Sequence, residues 1–457
     1  MTIIITLRSR QILNRQYLEM IIHNQTIGQL ISSDYSLSDI QRMTHLLEQH
    51  KTFNFPRLDN GLFPAAAVIS NTEYTGYSNV WVRDNIYLAY AHYLCGQIDV
   101  AVKTVHTLVQ YFQTHQSRFL HIINGQVGKN EMMQRPHIRF KGETLEEIDQ
   151  EWNHAQNDAL GYFVWFYCKL VREKRLKTNL EQLETISLFV AYFHAIEYWH
   201  DEDSGHWEEE PKIEASSIGV VVAGLTEFKR LFQELPLNND LKGHNTVIDL
   251  EFVNELITKG KKALEEILPS ECIQEKPKNR RYDSALLFLI YPLQIIKGEI
   301  ADKILDDVIN HLQGDYGIRR YLKDSFWCKN YQEVPLEIRT TLSRDREQWF
   351  KDNDRELQLG EEAQWCIFDP IISAILGLKF QQTKETIYLE KQTYYLNRSL
   401  GQITSSDSPF GGFHCPELYY LEKGAYVPGD ATPLLWTQAN LKVALEMMKR
   451  SLIINNS

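Results

Sequence analysis

The stretch Asp201-Glu202-Asp203-Ser204-Gly205-His206-Trp207-Glu208-Glu209-Glu210 decides how the chain is read. It joins two helical runs, Leu180 to Tyr198 and Ser216 to Phe232, and gathers carboxylates around a single indole. A Trp beside a Glu can shield it from water. Shielding disfavours the charged form and raises the carboxyl pKa, as a general acid working near neutral pH requires. The same residues would also serve as an acidic surface loop. A second carboxylate motif, Pro416-Glu417-Leu418-Tyr419-Tyr420, lies far along the chain and favours the chemical reading.

Outward from this stretch, nearly every long segment has helical periodicity. On its N-terminal side, Gln11 to Ile31 reads as an amphipathic helix. Leu37 to Lys51 reads as a second, with Ser36 or Ser38 as N-cap. Asn79 to Asn85 leads into a helix reaching about Tyr93, and Ile98 to Phe112 follows. Gly125 to Lys141 reads as extended or irregular. Glu146 to Val171 reads as a helix carrying Trp152-Asn153-His154-Ala155-Gln156-Asn157-Asp158. On the C-terminal side, helices are expected from Ser216-Ser217 as a cap, and over Ile248 to Ile267, Asp283 to Leu293 and Ile300 to Leu312. Further ones are expected over Glu361 to Leu378, Thr383 to Leu396 and Pro433 to Ser451. Lys276 to Arg281 reads as a solvated basic turn, and Lys323 to Gly360 as a long, polar, poorly periodic region. No strand-rich block, linker or repeat divides the chain. A helical solenoid or a closed ring of helical hairpins fits, and a parallel α/β sheet does not.

The chain has 457 residues, 43% hydrophobic and 24% charged, ordinary values for a soluble globular protein. Its net charge of -12 disfavours a nucleic-acid partner, which would need clustered Lys and Arg. No apolar run approaches the ~18–20 residues of a membrane span, and the N-terminal MTIIITLRSRQIL is too short for a secretory signal. The six Cys residues are scattered without a CxxC, which suits free thiols in a reducing cytoplasm. Metal motifs are missing. There is no HExxH, and Asp201 to Gly205 fails as an EF-hand loop because its twelfth residue is Lys212. No Walker loop, GxGxxG or GxSxG occurs, so neither metal nor cofactor is expected.

Two clusters remain. Arg83-Asp84 at a helix start is either a structural ion pair or a pair that holds sugar hydroxyls. His154, Gln156 and Asp158 form either a satisfied core network or a ligand shell. The 9 Trp, 23 Tyr and 20 Phe suffice for sugar-stacking platforms, although most aromatics at helical spacing pack the core.

Taken in order, these segments resemble glycoside hydrolase family 15, the glucoamylase family, and still more the related domain of the phosphorylase kinase α and β regulatory subunits. The resemblance runs from about Leu37 nearly to the C-terminus. It passes through Gly61-Leu62-Phe63-Pro64, Trp81-Val82-Arg83-Asp84-Asn85, Trp152 to Asp158, Gly205-His206-Trp207-Glu208 and Glu214-Ala215-Ser216-Ser217. It continues through Asp283 to Leu287, Tyr316-Gly317-Ile318-Arg319-Arg320-Tyr321, Glu362-Ala363-Gln364-Trp365, Pro416 to Tyr420 and Pro433 to Gln438. The resemblance implies an all-α fold, an (α/α)6 barrel over residues 36–457, with 1–35 as a helical extension packed on it. It further implies inversion at an α-glucosidic bond, with Glu208 as general acid and Glu417 as general base. Their carboxyls should then stand about 6.5–9.5 Å apart. Arg83 and Asp84 match the pair on the terminal glucose hydroxyls, and Trp152, Gln156, Arg320 and Trp365 match residues lining the same pocket. Trp81, His154, Asp158, Trp207 and Tyr321, from the same motifs, complete the expected substrate-binding set. Glu209 and Glu210 are expected to add like-charge repulsion that keeps Glu208 protonated. The implied ligand is an oligosaccharide or α-glucan, with no nucleic-acid or membrane partner and with homo-oligomers possible. A non-hydrolytic glycan-sensing subunit is the alternative, and a plain helical scaffold the third reading.

Overall fold

The computed structural model describes residues 3–7, 18–67, 75–235, 241–339 and 343–456. In chain order its principal helices are α1 (Leu37–Gln49), α2 (Val82–Leu94), α3 (Ile98–Thr114), α4 (Asn157–Arg172), α5 (Leu180–Ala195) and α6 (Ala215–Glu234). They continue with α7 (Leu250–Ile267), α8 (Leu287–Ile290), α9 (Gly298–His311), α10 (Asp369–Thr383), α11 (Thr386–Gly401) and α12 (Leu435–Asn455). The even-numbered helices touch in sequence, α2 to α4, α6, α8, α10 and α12, and α12 returns to α2. Each odd-numbered helix from α3 to α11 packs outside, against a neighbour in that inner ring, and α1 packs on α12. The result is an all-α (α/α)6 barrel.

Composition sorts the two rings. The inner helices are apolar on nearly every side, as helices surrounded by protein must be. In α4 the whole run from Asn157 to Cys168 is buried. Outer helices carry one stripe, as in α7, where Val253, Leu256, Ile257, Gly260, Ala263, Leu264 and Ile267 face inward. The approach of α4 to α6 in the inner ring needs a residue without a side chain. A Cβ on Gly161 of α4 would lie 2.9 Å from the backbone of Val220 and Val221 in α6. Ser36 caps α1 through a reciprocal capping box with Asp39, as the sequence suggests.

Several expectations are corrected. The helix expected over Gln11 to Ile31 is not formed. Leu18–Ile22 is a strand paired antiparallel with Ile3–Leu7, and only Gln25–Gly28 is helical; residues 11–17 lie outside the described set. Met20 and Ile22 still find burial, because the strand packs on α11, where the His23 N–H donates to the Gly401 carbonyl at 3.0 Å. Trp152 to Gln156 is irregular, and α4 starts only at Asn157. The expected Ser216-Ser217 cap lies inside the first turn of α6, whose N-cap is Glu214. Asp283 to Leu293 shrinks to a short 3-10 turn and α8, and Glu361 to Phe368 holds a strand, Gln364–Trp365, instead of helix. The poorly periodic region 323–360 contains two short helices, Leu336–Arg339 and Ser343–Asp352.

Candidate active site

The inner helices all start at one end of the barrel, so the loops that feed them converge there. A pit at this end is lined by Tyr77, Trp81, Arg83 and Asp84 before and in α2, Trp152 before α4, and His206, Trp207 and Glu208 before α6. The segment before α10 adds Arg320, Phe326, Arg346 and Trp365, the loop before α12 adds Glu417, and the first turn of α12 adds Trp436. The cavity volume is about 100 Å³.

Glu208 sits on a tight turn with φ of +60°, in the left-handed region that β-substituted residues avoid. Its neighbours hold it there. The Asn153 amide donates to the carbonyls of Glu208 at 3.1 Å and Glu209 at 2.9 Å. The Ser204 N–H donates to the Ala155 carbonyl at 2.7 Å, and the Asn157 N–H to Asp203 at 2.9 Å. Those partners explain why Trp152 to Gln156 is not helical: its polar groups are engaged with a loop some fifty residues away. Gly205 takes the bend at φ of +52°, where a side chain would be strained and its Cβ would fall 1.5 Å from Glu214 Oε2.

The Glu208 Oε1 oxygen accepts from Trp81 Nε1 at 2.8 Å and Arg83 Nη2 at 3.2 Å. Trp207, the expected shield, instead donates to Asp283 at 2.9 Å while its ring lines the pit. Glu209 does not press its charge on Glu208. It pairs with Arg280 at 2.7 Å and Lys212 at 3.3 Å. Burial works against the Glu209 carboxylate, but Arg280 and then Lys212 outweigh it and hold the carboxyl well below the usual range. Arg280 lies in the expected solvated turn, yet it is half-buried, paired also to Asp283 and stacked 3.4 Å over Tyr321.

Glu417 stands on a different support. Its carbonyl accepts from Cys366 N–H at 2.8 Å, and its own N–H donates to Ala431, fixing the strand that continues as Leu418–Glu422 beside Gln364–Trp365. Tyr77 donates to Oε1 at 2.9 Å, and Oε2 has no partner among the described residues. Burial raises the Glu417 carboxyl to about 8, against the opposing pull of the Tyr77 hydroxyl and Arg320. Tyr77 also packs edge-on against Trp81 at 5.5 Å, so one aromatic pair links the supports of both carboxyls. Burial likewise lifts Asp84 to about 7, with Arg83 opposing.

Around these groups, Arg83 donates to Asp158 at 2.9 Å and Gln156 at 3.0 Å. Arg320 is clamped bidentately on Asp324 and lies 4.7 Å over Trp365 and 5.2 Å over Trp207. The indole N–H groups of Trp152, Trp365 and Trp436 are buried without a partner among the described residues, as is Glu417 Oε2. Buried polar atoms are normally satisfied, so four such atoms on one pit fit a hydroxyl-rich ligand.

The pit thus gathers Glu208, Glu417, Arg83, Asp84, Trp81, Trp152, Trp207, Arg320 and Trp365 from the expected set. Gln156 and Asp158 stand behind it and reach it through Arg83. Tyr321 lies beneath Arg280. His154 is not at the pit: it stacks on His137 at 3.7 Å, and burial holds its imidazole neutral, well below its ordinary pKa. Tyr77, Phe326, Arg346 and Trp436 were not anticipated as site residues. Trp436 had a signal, since it lies in the quoted Pro433 to Gln438 segment, whereas Tyr77 sits in a polar stretch with none.

A family model for glycosyl hydrolases family 15 matches residues 44–364. The chain belongs to this family. Among curated proteins, the family 15 chain is 26% identical over 421 residues to a probable phosphorylase b kinase regulatory subunit alpha of Caenorhabditis elegans, covering 82% of this chain and 31% of that one. The Drosophila melanogaster counterpart is 25% identical over 355 residues, 72% of this chain and 26% of that one. The chain therefore spans about a quarter to a third of the length of these relatives. Among solved structures, the glucoamylase of Saccharomycopsis fibuligera superposes with a TM-score of 0.58 at 12% identity, over 92% of this chain and 97% of that one. That likeness carries the barrel fold of family 15. Among the described residues, no helix is long and apolar enough to cross a membrane, and no cluster of side chains could hold a metal ion.

Proposed function

We propose that the protein is an inverting, exo-acting glycoside hydrolase of α-glucans or short α-glucosides. Glu208 is the general acid that protonates the leaving oxygen, and Glu417 is the general base that activates water on the opposite ring face. The observation that carries this reading is the pair of carboxyls lining one pit, together with indole donors that have no partner among the described residues. Arg83 and Asp84 hold the terminal sugar's hydroxyls, and Trp152, Trp207 and Trp365 offer apolar faces to its ring. Glu417 must lose its proton before it can act as base, and its burial places that loss near pH 8 in the free protein.

A second reading has its own support. The curated relatives are described as regulatory subunits, so the same pit in this chain would serve as a non-hydrolytic glycan sensor. Hydrolysis of maltose, trehalose and maltooligosaccharides by the wild type, Glu208→Gln and Glu417→Gln separates the two. The enzyme reading expects turnover in the wild type alone. A wild type that binds oligosaccharide but never cleaves it would leave the sensor.

A further inference from the structure

The far end of the barrel holds a second and larger cavity, about 930 Å³ by the same measure, which the proposed hydrolysis does not use. It opens where α4 ends rather than where it begins. Trp165, Lys169 and Arg172 of α4 line it, about 10 to 20 Å along the helix axis from Asp158. Its volume falls within the ~300–1,000 Å³ that encloses small organic ligands.

The chemistry of the walls is specific. The floor is aliphatic, built from Val222, Leu264, Leu268, Leu293, Ile295 and Ile300. The rim carries five cations, Lys169, Arg172, Arg230, Lys261 and Lys297, against two carboxylates, Glu227 and Glu265. Arg172 and Arg230 share Glu227, at 3.1 and 2.6 Å. Glu173 and Glu234 reach Lys169 and Arg172 from outside the cavity. Cations remain in excess even after those pairs, on a chain whose net charge is -12. Lys261 and Lys297 have no carboxylate partner among the described residues, and both are exposed at the rim.

We propose that this cavity is a second ligand site, for a small amphipathic anion: an aliphatic body against the Leu and Ile floor and one anionic headgroup at Lys261 and Lys297. The two walls act on different parts of the ligand. Apolar area supplies most of the affinity, and the lysines select charge. A neutral sugar, which suits the pit at the other end, has nothing to gain from an aliphatic floor.

Titration calorimetry of the full chain with decanoate tests this, with decanol as the uncharged control. One saturable site per chain is expected, with decanol binding at least about tenfold more weakly and affinity falling as salt rises. The double variant Lys261→Glu/Lys297→Glu should weaken decanoate binding by about tenfold or more. Both side chains are exposed, so circular dichroism and Tm should stay at wild-type values. Ile296→Trp fills the cavity without changing charge and should abolish binding independently. Absence of saturable decanoate binding overturns the proposal. So does equal binding of decanol, or undiminished binding by the double variant or by Ile296→Trp.

Discussion

The two carboxyls of the pit are held in opposite ways. Glu208 stands on a strained turn, φ +60°, gripped by Asn153 and backed by the ion pairs of Arg280, Lys212 and Glu209. Two strong donors, Trp81 and Arg83, converge on one of its oxygens. Glu417 stands just before the strand Leu418–Glu422, with one hydroxyl donor and one oxygen without a partner among the described residues. The first support is polar and charged; the second is apolar and lifts its carboxyl to about 8. The contrast teaches that the carboxyls are not interchangeable, and that most of the polar machinery of the site serves to aim Glu208.

The sharpest break in that contrast is removal of either carboxyl. Glu208→Gln and Glu417→Gln should each lower kcat by about 10²–10⁴, read by glucose release from maltooligosaccharides. Next comes the aim of Glu208. Asn153→Ala frees the two carbonyls of the turn and should lower kcat by about tenfold to a hundredfold with little change in KM, because a misplaced acid harms the transition state more than binding.

The apolar side is probed by pH. The kcat/KM of the wild type should carry a limb near pH 8, where Glu417 loses its proton, and should fall once the acid Glu208 is deprotonated as well. The Tyr77 hydroxyl favours the Glu417 carboxylate, so Tyr77→Phe should move that limb to still higher pH. A limb that stays in place or moves down would contradict the assignment. The smallest effect is on stability. A carboxyl raised from 4.5 to about 8 stabilises the fold fully below its unfolded value, and that contribution is lost as pH rises through the folded value. Glu417→Gln should therefore gain on the wild type by a few degrees in Tm above about pH 8, and gain nothing below about pH 4.5.

Much of this was legible in the residues, for physical reasons that differ by element. The inner and outer helices announce themselves because burial on one stripe or on all sides imposes a pattern on neighbouring residues. The Ser36 cap is local as well. Arg280 was illegible, since a basic turn reads the same whether it faces water or folds onto Glu209. Trp152 to Gln156 suits a helix by composition, and only distant partners such as Glu208 and Asp203 override it. Leu18 to Ile22 has apolar residues that serve a helix face or a strand equally. At the site, Glu208 and Glu417 line one pit with most of the expected motif residues, but His154 does not, and Tyr77 acts through one hydroxyl at a position no local pattern marks.

Product stereochemistry bears most directly on two carboxyls acting across one pit. Proton NMR of maltose hydrolysis, recorded before mutarotation, should show β-glucose appearing first from the non-reducing end. Initial α-glucose would mean retention, and would contradict Glu417 acting on water.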